Sequence, residues 1–129
     1  DYLIEELGGK STPAIGFAAG IERLIIALDN NIELNNSPDI YMVTLGDSTI
    51  DIGLKIAYDL RKHCEFTVIS DMLQKNMKSQ LKEANKLKVK YAIIIGENEI
   101  INKEAVIKNM LTGDQENINF NEIINYFKK

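Results

Sequence analysis

Six lysines, at positions 75, 78, 82, 86, 88 and 90, crowd a short stretch that contains one acid, Glu83. That stretch carries +5 in a chain of net charge −4, which leaves −9 for the rest. A uniformly acidic protein is a poor partner for phosphate, but an acidic body with one basic segment is a different object. Lys78, Lys82 and Lys86 stand four apart and line one helical face, a stripe that could track an RNA backbone. A solvated charged face explains the same spacing without a partner. Gln80 and Asn85 could touch bases or phosphates, or be plain surface polars.

Other reactive side chains offer less. His63 and Cys64 are the one histidine and the one cysteine, too few for a disulfide or a zinc site. A lone thiol and no apolar run near the roughly 18 residues of a membrane span point to a reducing, cytoplasmic setting with no membrane partner. With 129 residues, 45% apolar and 26% charged, the chain has room for one domain and little more. It starts at Asp1-Tyr2 without an initiator methionine, so we expect a fragment.

Elements must hold these groups in place. Composition breaks at residues 29–39, DNNIELNNSPD, where Asn, Asp and Pro disfavour regular structure. The expected organisation is a first segment at 1–29, a linker at 30–37 and a domain at 38–129. In the first segment Thr12–Phe17 predicts a buried strand. Ala18–Leu28 predicts a helix with Ile21, Leu24, Ile25 and Leu28 at helical spacing. Gly20 would sit early in that helix at up to about 1 kcal/mol against alanine, which suggests close approach by a ligand or another backbone.

In the domain, strands are expected at Ile40–Leu45, Phe66–Ser70 and Tyr91–Ile95. Helices at Thr49–Lys62 and Asn76–Leu87 join them, the first after the turn Gly46-Asp47-Ser48. Ala105–Met110 and Gln115–Asn119 form a hairpin around Leu111-Thr112-Gly113-Asp114, and Phe120–Phe127 closes the chain as a helix. Helical crossovers demand parallel strands. The expected fold is α/β: a five-stranded mixed, mostly parallel sheet with three helices. Met77, Leu81 and Ala84 should form the apolar face of the second helix, and Tyr41, Tyr58 and Tyr91 should be core.

Two regions resemble a known family. Thr12–Leu24, TPAIGFAAGIERL, closely resembles the third signature motif of class II aminoacyl-tRNA synthetases in its histidyl, bacterial form. Ala18 and Ala19 depart from the general class II pattern but not from the histidyl one. Asp1-Tyr2-Leu3 and Leu7-Gly8-Gly9 resemble what the family places after its second histidine-recognition loop. Further on, Ser79-Gln80-Leu81 with Ala84, Tyr91–Gly96 with Glu97 and Glu99, and Val106-Ile107-Lys108 before Thr112-Gly113 and Gln115 are similar to the family's anticodon-binding domain.

The resemblance implies a C-terminal piece of a histidine-tRNA ligase: a strand-helix remnant of the class II catalytic domain followed by the anticodon-binding domain. The parent would use ATP and Mg²⁺ to activate histidine, pass it to histidine tRNA and work as a homodimer. The piece alone is expected to be inactive, with no cofactor or metal ligands of its own. Arg23 is the implied catalytic residue, holding ATP phosphates, with Gly16, Gly20 and Glu22 in support. Its charge and planar donors suit bidentate phosphate contact. The candidates for the tRNA anticodon are Lys78, Gln80, Glu97, Lys108, Thr112 and Gln115. One alternative is a synthetase-like regulatory subunit of ATP phosphoribosyltransferase in histidine biosynthesis, though such proteins commonly lack an anticodon domain. Another is a free-standing α/β small-molecule or response-regulator module, for which Gly46-Asp47-Ser48 is a thin match.

Overall fold

A computed structural model describes residues 2–28, 37–71 and 73–128, in two compact units spanning residues 1–34 and 35–129. Residues 30–36 of the expected linker lie outside the described residues.

The first unit holds two short helices, α1 (Leu3–Glu6) and α2 (Ile21–Ala27). The strand expected at Thr12–Phe17 is absent: residues 11–20 are neither helix nor strand. A strand needs a neighbour for its backbone groups, and the five paired strands among the described residues all lie in the second unit. Ile15 and Phe17 are almost wholly exposed, where a buried strand would have enclosed them. Helix α2 begins later than expected. Gly20 is its N-cap, with extended backbone, rather than a residue inside its first turn. The described residues of this unit are all exposed, including Ile21, Leu24 and Ile25.

The second unit runs β1 (Ile40–Thr44), α3 (Ile50–Cys64), β2 (Val68–Ser70), α4 (Met77–Lys86), β3 (Tyr91–Ile95), α5 (Glu97–Asn102), β4 (Glu104–Asn109), β5 (Gln115–Asn119) and α6 (Ile123–Phe127). Strand order is β2-β1-β3-β4-β5. β1 pairs in parallel with β2 and β3, whereas β3–β4 and β4–β5 are antiparallel. Four strands therefore point one way and only β4 opposes them, so the sheet is mixed and mostly parallel as expected. Among the described residues four α-helices rather than three accompany it. The extra one, α5, starts where the Glu99 carboxylate accepts the Gly96 N–H at 2.8 Å, and stops at Lys103 in left-handed backbone.

Burial explains these elements. All five residues of β1 are buried, as a central strand covered on both faces requires. One face of the sheet, with Ile40, Met42, Ile93, Ile95, Ala105 and Ile107, packs beneath α3 and α6. The opposite face, with Tyr41, Val43, Ala92 and Ile94, packs beneath α4 through Ala84. Two expectations fail on burial. Tyr58 is 58% exposed on α3, with Lys62 Nζ 5.7 Å from its ring centre, and Met77 is 42% exposed.

Candidate nucleic-acid interface

Helix α4 is started by Asn76, whose Oδ1 accepts the Ser79 N–H at 2.9 Å. Its buried residues are Gln80 and Ala84. The Gln80 side chain is fully enclosed. Its Oε1 accepts from Thr44 N at 3.2 Å, and its Nε2 donates to Thr44 O at 2.8 Å and to Lys75 O. The β1–β2 pairing runs only from Ile40 to Met42, so Thr44 lies past its end. A primary amide bonded to both backbone groups of Thr44 stands in for the missing strand residue. Gln80, expected to face a partner, is instead turned into the protein.

The lysines divide by their partners. Lys75 reaches Glu83 at 3.2 Å and Asp71 at 3.9 Å, and Lys90 reaches Asp39 at 2.8 Å. Lys78, Lys82, Lys86 and Lys88 are exposed and form no ion pair among the described residues. Lys75, Ser79, Lys82, Glu83 and Lys86 line a shallow hollow along α4. Beneath the helix, burial and then the Asp71 and Glu83 charges raise the Tyr41 phenol above its ordinary value.

Beside α4 the sheet lies open. Lys108 opposes Gln115, Val106 opposes Asn117 and Glu104 opposes Asn119, and directly opposed side chains share a face. That face is the α4 side, because Val106 packs against the α4 cluster while Ala105 and Ile107 join the other. Gln115, Asn117 and Asn119 are exposed there. Glu104 Oε1 accepts from Asn117 Nδ2 at 2.9 Å and from Asn102 Nδ2 at 3.5 Å. The hairpin turn is held by Asn109, whose Oδ1 accepts from Leu111 N and Thr112 N, and Gly113 takes the positive φ of 85° the turn requires.

Asn109 pairs with Tyr91, the first residue of β3, whereas Glu97 follows its last. The structure thus brings Lys108, Gln115 and the Thr112 turn together and leaves Glu97 at the other end, about 16 Å away along a five-residue strand. There the loops after β1 and β3 converge. A Cβ placed on Gly46 would lie 3.9 Å from Glu97 Oε1. This is the point where the strand order reverses, the usual ligand crevice of an open α/β sheet. Helix α4 leads from the end of β2 back to the start of β3, so Lys78 lies towards the Glu97 end and Lys86 towards the hairpin turn.

In the first unit, Glu22 and Arg23 occupy the first turn of α2 and are exposed. A Cβ placed on Gly20 would lie 3.8 Å from Arg23 Cβ, and one on Gly16 would meet nothing within 4 Å. These four residues are neighbours in sequence without an enclosing site among the described residues. No group of three or more His, Cys, Asp or Glu among the described residues could hold a metal ion, and no helix among them is long and apolar enough to cross a membrane. Glu104 and Asn117 join this surface without being among the expected site residues. The available signal was the Asn-rich strand QENIN, since Asn is depleted in strands that exist only to pack.

Comparison with known proteins adds three findings. A family model described as an anticodon binding domain matches residues 39–129. Histidine–tRNA ligase of Acetivibrio thermocellus is 40% identical over 131 residues, taking in 99% of this chain and 31% of that protein; the Bacillus cytotoxicus enzyme is 43% identical over 127 residues, 96% and 30% respectively. The crystal structure of apo S. aureus histidyl-tRNA synthetase matches 84% of this chain and 28% of its own, with a TM-score of 0.68 and 35% identity. The chain therefore spans less than a third of the length of these curated relatives.

Proposed function

Because the chain belongs to the anticodon binding domain family, we propose that residues 38–129 bind the anticodon loop of histidine tRNA as the C-terminal part of a histidine-tRNA ligase. The observation that carries this is the pairing of two features on one side of the sheet. Exposed lysines without acidic partners among the described residues supply charge for phosphates, and an uncovered polar strand surface lies beside them for bases. Lys78, Lys82 and Lys86 are assigned to the backbone. Lys108, Thr112 and Gln115 are assigned to the loop at one end, and Glu97 to the crevice at the other. Gln80 supports β1 instead of touching RNA.

Residues 1–29 are assigned to the end of a class II catalytic domain and residues 30–37 to the linker. The parent would be a cytoplasmic homodimer that activates histidine with ATP and Mg²⁺ and transfers it to tRNA. Arg23 is a fitting phosphate ligand, with Gly16, Gly20 and Glu22 beside it. One exposed arginine is not a nucleotide site, however, and no metal ligand set accompanies it among the described residues. We derive no step through ATP or Mg²⁺ for this chain, which should lack histidine-dependent ATP–pyrophosphate exchange.

The test is binding of the full chain to a histidine-tRNA anticodon stem-loop, and to one with a changed anticodon, across salt. Tighter binding to the cognate loop is expected. The log–log salt slope should fall by roughly 0.7 for each single-strand phosphate contact removed in Lys78→Ala, Lys82→Ala and Lys86→Ala. Equal affinity for both loops rejects anticodon readout, and an unchanged slope rejects the lysine assignment.

A further inference from the structure

The open half of the sheet carries a hydrogen-bonded pair that packing does not require. Glu104 makes no ion pair among the described residues, yet its Oε1 takes an N–H from Asn117 at 2.9 Å and one from Asn102 at 3.5 Å. Asn117 is exposed. A bond of this kind at the surface does little for stability, but it does fix orientation. An ionised carboxylate only accepts, so it selects the amide nitrogen of Asn117. Asn117 Oδ1 and the second N–H make no hydrogen bond among the described residues, which leaves one acceptor and one donor on the same amide. An amide uses this pattern to read a base edge bidentately. Lys108 and Gln115 lie on the same face, one opposed pair along the hairpin.

We propose that Asn117 reads the edge of an unstacked base in a single-stranded RNA loop, and that Glu104 is the positioning residue that fixes its amide. This rests on the anticodon reading above and adds to it a specificity determinant. Charge decides the occupant. The face adjoins α4, whose exposed lysines suit a phosphate backbone and repel basic peptides.

The experiment uses the full chain and fluorescence anisotropy with the histidine-tRNA anticodon stem-loop, and with stem-loops each changed at one loop base, at several salt concentrations. Asn117→Ala should leave the salt slope and thermal midpoint unchanged and lower discrimination at one loop position by about 5- to 100-fold. Glu104→Ala should lower it at the same position. Glu104→Gln, which keeps an acceptor oxygen, should restore part of it. Should the alanine variant at 117 lose ellipticity, Asn117→Thr suits a strand better and takes its place. Wild-type discrimination at every position in the Asn117 variants overturns this proposal alone. A wild-type chain that binds all loops equally removes the anticodon reading, and this proposal with it.

Discussion

Gln80→Ala removes an amide that substitutes for a strand. The substitution deletes three hydrogen bonds, to Thr44 N, Thr44 O and Lys75 O, at a fully buried position. At a net 0.5–1.5 kcal/mol each these amount to about 2–4 kcal/mol. The lost side-chain methylene adds about 0.8 kcal/mol. A total near 3–5 kcal/mol is a large share of the 5–15 kcal/mol typical of a domain. In urea, with a slope of about 1–3 kcal/mol/M, the midpoint should fall by roughly 2 M at unchanged slope, followed by circular dichroism. A loss under about 1 kcal/mol would mean that water replaces the amide and that β1 does not depend on it. Gln80→Glu sharpens the test. The new carboxylate could accept from Thr44 N but would face two carbonyl oxygens. Burial and those oxygens raise its pKa in the folded state. Stability should then be highest below the ordinary glutamate value of about 4.3 and decline as pH rises towards the folded value. A variant that tracks the wild-type pH profile contradicts the geometry.

Two further outcomes concern stability. Burial opposes ionisation of Asp39, but the Lys90 hydrogen bond, the Thr67 N–H and the Lys90 charge outweigh it and hold its carboxyl below 3.8. Its contribution is therefore in place above 3.8 and is lost as pH falls through the lower folded value, so Asp39→Asn should flatten the acid side of the stability profile below about pH 4. An acid limb as steep as the wild type's counts against the pair. Gly53→Ala should destabilise the protein although alanine favours helix by up to about 1 kcal/mol. The added Cβ would meet Thr44 Cγ2 at 2.6 Å, and overpacking costs about 1–3 kcal/mol. A raised thermal midpoint would show that α3 shifts away freely.

Residues that carry their own local signal were legible in the sequence. Tyr91–Ile95 and Gln115–Asn119 are strands over the expected limits, because an apolar run ending at glycine and a Thr-Gly-Asp turn leave little choice. Features that depend on distant partners were not. Thr12–Phe17 has strand composition but belongs to none of the paired strands among the described residues. Helix α5 has six residues, too few for a period to emerge, and only the Gly96–Glu99 cap announced it. Apolar spacing put Met77 inside and Gln80 outside, whereas the end of β2 makes an amide the better buried residue. Of the expected interface, Lys108, Thr112 and Gln115 come together because they flank one turn. Glu97 belongs to the opposite end, a separation that only the strand pairing reveals.

The unequal covering of the sheet has a consequence for how such a domain can change over time. Its two apolar clusters lie under helices, while positions 104, 115, 117 and 119 face outward on β4 and β5. Exchanges among short polar side chains there should each alter stability by no more than about 0.5 kcal/mol, whereas a truncation at Ile93 or Ile107 would cost several times as much. Under the proposed reading, base preference can therefore be rewritten in small steps without threatening folding. One frame can pass through many recognition surfaces, and the residues proposed to read a loop are the freest in the domain to vary.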